Sequence, residues 1–444
     1  MSTLPPYDHQ PRPYDGPARD EVLAQRKAHC HPAIFTLYKD PLMIVEGSMQ
    51  YLFDDSGKRY LDLFAGIVTV SCGHSHPLVN RRVIEQVQRL QHATTLYLHP
   101  NFPGLAAKLA ARMPEGLDVT YFTNSGSEAN ELAVAMARMY TGREDVIAVR
   151  NAYHGGTTTA MGLTSHSTWK FPLRSTGQVH HAACPDPYRS KFSGTPAEIA
   201  TQSAEDIREL IRFSTCGQVA AFIAEPIQGV GGVCCGADNY LSEAYAVVRE
   251  HGGVCIADEV QTGFGRTGEH YWGFESFGVK PDMVVMAKGI GNGFPLGAVT
   301  TTAEIAKAFT SRIHFNTYGG NPVSMAAGAA VMDAIEQDQL QKNCREVGGY
   351  FRAGLEKLRD KHDLIGDIRG QGLMIGVELV RDRDTKEPAN TEALALLEIA
   401  KDQGLLVGKG GFYGNVLRIK PPMCITTADV DFALGVIDDA LGRV

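Results

Sequence analysis

The sequence predicts an α/β chain: a large domain with a mostly parallel sheet covered by helices, plus a smaller α+β lobe. Three observations carry this expectation. Short apolar runs of strand length, bounded by turn residues, recur at 119–122, 145–149, 219–224, 254–257, 283–287 and 296–301. Stretches with apolar residues at helical spacing, 105–113, 131–140 and 240–251, are interleaved with them. Strands that alternate with helices in this way are buried on both faces, which is the setting of parallel sheets.

The elements follow in order. The Pro-rich opening to about Pro32 reads as an arm lying on another surface or as a disordered tail. The alternation in 51–64 around Asp55-Ser56-Gly57 predicts a β-hairpin. Residues 1–75 are thus expected to form the arm and a small-lobe segment, 76–325 the large domain, and 326–444 a C-terminal small domain. The last begins with a long helical pattern after Asn321-Pro322. It continues with a helix over 346–362, strands near 372–379 and 416–420, and helices over 392–402 and 430–441.

Composition narrows the function. The 444 residues carry 42 Lys and Arg against 50 Asp and Glu, a formal net charge of −8, and are 44% hydrophobic and 21% charged. This is ordinary globular usage, with room for about three domains' worth of chain, and it argues against binding to nucleic acid or an anionic membrane. The apolar runs fall far short of the ~20 residues that a membrane-spanning helix needs. Nine cysteines without CxxC spacing read as free thiols in a reducing compartment, and no metal site is expected. The first thirty residues lack an apolar core and contain Asp8, Asp15, Asp20 and Glu21, so the chain is expected in the cytoplasm.

Three motifs carry chemistry. In the stretch from Tyr121 to Asn130, an extended run passes through Ser125-Gly126-Ser127 into a helix. Backbone N–H groups converging at such a helix start suit a phosphate; an ordinary N-cap is the alternative. At Ala257-Asp258-Glu259 an apolar strand ends in a carboxylate pair. Here a crevice-facing acid competes with the metal-holding strand of a P-loop ATPase, but no GxxxxGK[ST] occurs. Gly263 to Gly268 matches GxGxxG, yet it neither directly follows the strand nor opens a clear helix. Finally, Lys288 closes the apolar strand 283–287 beside Gly289 and Gly291. A buried lysine loses its proton, pairs or is modified; the alternative is a stem that snorkels to water. A phosphate cradle, a strand-end acid for a cationic ring nitrogen and a lysine able to form an imine are the parts that pyridoxal phosphate requires.

These segments resemble the class III aminotransferases of the type I pyridoxal-phosphate fold. The match rests on NSGSEAN from Asn124, Tyr153-His154-Gly155, Glu225-Pro226-Ile227-Gln228, CIADEVQTGFGRTG from Cys255, MAKGIGNGFP around Lys288, NTYGGNP around Thr317 and RIKPP from Arg418. Within that class, GIVTVSCGHSHP from Gly66 and HFNTYGGNP look most like the type-two alanine:glyoxylate aminotransferases.

The resemblance implies pyridoxal 5'-phosphate as cofactor and specific roles for these residues. Lys288 is the Schiff-base lysine and proton shuttle, and Asp258 the partner of the ring nitrogen. Gln261 donates to the ring oxygen, and Tyr153 and Val260 cover the two ring faces. Gly126 and Ser127 hold the phosphate, joined by Thr317, alone or with Asn316, from a second subunit. Glu225 and His154 stand behind them. Arg418 is the fork for a substrate carboxylate. Many ω-amino-acid members mask that arginine with a glutamate where this chain has Val230. Transamination between an amino acid, preferably L-alanine or else a β-amino acid, and glyoxylate or pyruvate is therefore expected, by a ping-pong mechanism in a homodimer, or in a tetramer. The alternatives are an ω- or β-amino-acid:pyruvate aminotransferase, a lyase or decarboxylase on the same scaffold, or a noncatalytic binding protein. His180-His181 with Cys184, and Cys234-Cys235, have unconvincing metal spacing, and His74 and His76 read equally as turn-stabilising or catalytic.

Overall fold

The computed structural model describes residues 3–173 and 178–444. Its centre is a seven-stranded sheet of β1 (Val119–Thr123), β2 (Val146–Val149), β3 (Val179–Ala182), β4 (Ala221–Ala224), β5 (Val254–Asp258), β6 (Met283–Met286) and β7 (Gly297–Thr301). The spatial order is β1-β7-β6-β5-β4-β2-β3. Strand β7 runs antiparallel to both neighbours, and the remaining pairs are parallel. The mostly parallel, doubly covered sheet expected from the sequence is thus present.

Side-chain alternation explains why these strands are apolar throughout. Val146, Ala148, Ile223, Ile256 and Val285 pack under the helix Gly126–Thr141, whose Ala129, Ala133 and Ala137 let it lie close to the sheet. Ile147, Val149, Phe222 and Cys255 point the other way, against the helices Pro196–Ser214 and Tyr240–Glu250. Both faces are covered, so residues of either parity must be apolar.

Several elements were not read from the sequence, the helix Pro77–Arg89 and the strand Ile365–Gln371 among them, and two are instructive. Strand β3 contains His180 and His181, which hide its apolar character. His180 Nε2 bonds Asp145 Oδ1 at 2.7 Å, and His181 Nε2 donates to the carbonyl of Gly162 at 3.1 Å. Burial pushes the His181 pKa down to about 4, so this ring is neutral and structural. The helix Pro196–Ser214 went unread, although Thr195 and Glu198 form a capping box with Pro196 in the first turn.

The smaller lobe holds two sheets. In one, Ile44–Ser48, Tyr51–Asp54 and Arg59–Asp62 pair in antiparallel fashion, and Leu405–Leu406 adds a parallel strand from far along the chain. In the other, the path runs Ile365–Gln371, Met374–Asp382, Val416–Ile419, Gly408–Gly410. The opening segment lies along the hairpin: Tyr7 Oη meets Ser48 Oγ at 2.7 Å, and Arg59 Nη2 donates to the carbonyl of Pro5 at 2.6 Å. Beyond it, the helix Arg19–His29 buries no residue.

Phe222, fully buried between the sheet and two helices, tests this packing. Phe222→Ala is expected to cost ~3–5 kcal/mol by leaving a cavity, read as a lower midpoint in chemical denaturation.

Candidate active site

The C-terminal edge of the parallel strands gathers the chemistry. Asp258 ends β5 and is 2% exposed. A carboxylate so far from water needs donors, and three reach it. His154 Nδ1 donates to Oδ2 at 2.7 Å, Asn130 Nδ2 to the same oxygen at 2.9 Å, and the Val260 amide to Oδ1 at 3.1 Å. A carboxylate has about four acceptor sites, so Oδ1 keeps capacity for one more donor. Asn130 also donates to the carbonyl of His154 at 2.9 Å, which locks the two partners together. The role of Asn130 was missed from sequence. Its signal is its place beside Ala129 on the buried face of a helix that starts at the Ser-Gly-Ser turn.

Lys288 follows β6, the strand beside β5, and takes a left-handed backbone conformation, φ 50°. Its Nζ has no hydrogen-bond partner among the described residues. Burial lowers its pKa; Asp258 and Glu225 oppose that shift, and Arg418 adds to it. Glu225, just past β4, accepts from the amides of Tyr153 at 3.0 Å and Gly229 at 2.8 Å. Burial raises its carboxyl pKa, His154 pulls it down and Asp258 pushes it up.

These groups surround a cavity of about 190 Å³. Gly126, Ser127, Tyr153, Glu225, Asp258, Val260, Gln261 and Lys288 all line it, as do Asn130 and His154. At one end of it, Gly126 and Ser127 open the helix Gly126–Thr141, so their N–H groups lack intrahelical acceptors. Gly155 sits opposite at φ 130°, and a Cβ there would come within 2.3 Å of Ser127 Oγ, so only glycine keeps this end open.

Two expected residues lie outside the cavity. Thr317 is exposed in the loop after β7, next to Asn316, whose Nδ2 donates to Glu128 Oε2 at 3.0 Å. Arg418, on Val416–Ile419, is 7% exposed; its Nε donates to the carbonyl of Lys409 at 2.9 Å, and its guanidinium lies 5.4 Å from the centre of the Phe64 ring. Burial pushes its pKa down to about 10 against the pull of Glu225. Lys420 was missed entirely: it is 0% exposed and donates to Gln261 Oε1 at 2.9 Å.

The remaining candidates are structural. Glu259 caps the turn after β5 by accepting from Gly273 and Phe274 at 2.9 and 2.8 Å, and burial pushes its pKa up to about 7. The GxGxxG stretch buries Arg266, which donates to the carbonyls of Leu373 and Pro421. His74 pairs with Asp62 and His76 with Asp338, each at 2.8 Å.

An acid and an amine at the ends of adjacent strands, above a helix start, define a pyridoxal-phosphate transferase site. The chain belongs to the class III aminotransferases: it matches the family described as Aminotransferase class-III over residues 35–441. It is 53% identical to the Arabidopsis thaliana protein named alanine–glyoxylate aminotransferase 2 homolog 2, mitochondrial, covering 100% of this chain and 92% of that one. The human alanine–glyoxylate aminotransferase 2, mitochondrial, is 44% identical over 99% of this chain and 89% of its own. Among solved structures, a Bacillus anthracis aminotransferase superposes with a TM-score of 0.89 at 30% identity, covering 96% of this chain and 98% of that one. A phospholyase from Arthrobacter, in complex with phosphoethanolamine, reaches 0.89 at 33% identity, covering 95% and 100%. The enzyme carries out transamination with pyridoxal 5'-phosphate.

One expectation is corrected by these relatives. The chain was expected in the cytoplasm, whereas the Arabidopsis and human proteins are named mitochondrial. Free thiols report a reducing environment and do not distinguish one reducing compartment from another.

The residues present fit the cofactor: Lys288 offers an unbonded amine, Asp258 an unused acceptor site, and the helix start two unsatisfied N–H groups. Only the neutral amine is nucleophilic. The rate at which apo-protein captures pyridoxal phosphate should therefore rise with pH through a midpoint below the ~10.4 of an ordinary lysine, followed by absorbance after rapid mixing. Asn130→Ala removes a charge-assisted bond to Asp258 and should weaken cofactor retention about ten-fold, or ~1.4 kcal/mol, measured by equilibrium dialysis.

Proposed function

We propose that this enzyme moves the amino group of L-alanine to glyoxylate in two half-reactions, with pyruvate also accepted as the oxo acid. The observation that carries the reading is the surroundings of Arg418. Position 230 is valine, and its carbonyl accepts from the Gly411 amide at 3.0 Å beside the strand pair that carries the arginine. No side-chain carboxylate stands at 230 to pair with the guanidinium, so a small α-carboxylate can take the fork directly. The names of the Arabidopsis and human relatives support the same donor and acceptor.

Bound pyridoxal phosphate supplies an aldehyde that exchanges amines and a ring that takes up the electron pair of the donor Cα. Lys288 provides the amine that anchors the cofactor, then takes the proton from the donor Cα and returns it elsewhere. Asp258 holds a proton on the ring nitrogen, an arrangement its buried, triply bonded carboxylate favours. Gln261 donates to the ring oxygen, Tyr153 and Val260 cover the two faces, and Gly126 with Ser127 receive the phosphate. Glu225 steadies the Tyr153 backbone and the Gly229 turn.

Assembly belongs to the same reading. Thr317 is exposed amid Ile313, Phe315 and Tyr318, and Leu96, Tyr97 and Leu98 are exposed as well. Apolar exposure of this kind suits a homodimer in which the partner subunit's Thr317 completes the phosphate site. We further assign residues 76–325 to a large lobe, and 1–75 with 326–444 to a small one.

Lys288→Ala should abolish steady-state transamination, and borohydride should trap cofactor in the wild type but not in the variant; turnover by the variant sinks the assignment. Arg418→Ala should raise KM for alanine and glyoxylate about ten- to a hundred-fold, as expected for loss of a charged bidentate contact, with kcat less affected. A donor panel against glyoxylate and pyruvate decides the substrate. Release of pyruvate from alanine in one equivalent without acceptor supports transamination, while continuous turnover without acceptor supports a lyase.

A further inference from the structure

Lys420 is an unusual residue for its place. It lies just past the strand Val416–Ile419 with no exposed surface. Fully buried lysines are rare unless paired, and no carboxylate lies within ion-pair distance of it among the described residues. Its charged surroundings are mostly repulsive. Burial lowers its pKa most, and Arg418, Lys288 and Arg266 act in the same direction, with Glu225 alone opposing. Ion pairing therefore does not account for this side chain, and its hydrogen bonds are what it contributes.

Those bonds are specific. Nζ donates to Gln261 Oε1 at 2.9 Å and to the carbonyl of Gly229 at 3.3 Å. The Lys420 amide is itself fixed, donating to the carbonyl of Leu63 at 2.8 Å. Nζ donates to Oε1, so the amide oxygen of Gln261 faces Lys420 and the amide nitrogen is turned away from it. Gln261 Nε2 is left as a donor without a partner among the described residues, on a side chain that lines the cofactor cavity.

We propose that Lys420 is a positioning residue of the transamination site: its Nζ, anchored on Gly229, holds the Gln261 amide so that Nε2 is presented to the cofactor's ring oxygen. This rests on the reading of Gln261 given above. Without the lysine the amide is free to turn and the ring oxygen loses its donor. More negative charge then stays beside the nitrogen that joins Lys288 to the cofactor, and that nitrogen keeps its proton to higher pH.

The test is a pH titration of the visible absorbance of cofactor-loaded protein for wild type, Lys420→Met, Gln261→Leu and the double variant. Each single change should move the midpoint upward by about one unit, and the double should move it no further, because both act through one hydrogen bond. The kcat of Lys420→Met should fall about ten-fold with KM for alanine within about two-fold. A lysine that only supported the fold would change thermal stability and leave the titration where it was. A wild-type midpoint in Lys420→Met, with Gln261→Leu shifted, overturns this inference and leaves the role of Gln261 standing. An unshifted Gln261→Leu overturns both, and additive shifts in the double variant mean that Lys420 acts on the cofactor directly and also overturn it. If the methionine variant does not fold, Lys420→Leu carries the same readout.

Discussion

Satisfying the Asp258 carboxylate without water is the constraint around which the rest of the molecule is arranged. A buried carboxylate without donors takes up a proton and ceases to be an acid partner for anything. The donors come from three separate places: a helix side chain, a loop imidazole and the turn that follows the strand itself. Each is fixed by packing. The alanines of the helix Gly126–Thr141 bring Asn130 down to the sheet, and the His154 amide is held by Thr164 Oγ1 at 3.0 Å. Strand pairing does the remainder: Asp258 stands opposite Val285, so the amine that follows β6 emerges from the neighbouring strand about 4.8 Å away in the sheet. Acid and amine are spaced by backbone hydrogen bonds, the stiffest element available.

The cations arrive from the other lobe. Arg418 lies on the strand Val416–Ile419 and Lys420 just past it, and both donate to the carbonyl of Gly229 on the loop after β4. Arg369 holds the same loop further along, donating from Nε to the carbonyl of Gly232 at 2.9 Å. A protein of net charge −8 thereby keeps a locally positive recess, with Glu225 as its main counterweight. Attraction of a carboxylate depends on that local field and not on the overall charge.

Much of this was legible in the sequence because the relevant signals are local. Apolar runs marked β2, β4, β5 and β6, and the residues at their ends marked the acid and the amine. Apart from the Thr317 loop, the residues marked for the phosphate, the ring and the imine line one cavity, with Glu225 and His154 beside them. What escaped detection depends on long-range contacts. The histidines of β3 look polar until Asp145 and the Gly162 carbonyl are seen to satisfy them. Lys420 reads as a surface lysine two residues past an arginine, and only the fold shows it closed off from solvent against Gln261. Asn130 sat inside a recognised motif, but its aim at Asp258 needed the helix docked on the sheet. Compartment was not legible at all, since thiol content reflects redox conditions that several compartments share.

Lys288 is held at φ 50°, a conformation that an ordinary side chain adopts only under compulsion from its surroundings. The preceding strand β6, paired on both sides, fixes the chain up to that point as it folds. The backbone from which the amine projects is therefore set before any ligand arrives, and the entropy of ordering that backbone is lost during folding and not on encounter. On the reading proposed for Lys288, a side chain that leaves and rejoins the cofactor in each cycle starts every time from the same backbone direction.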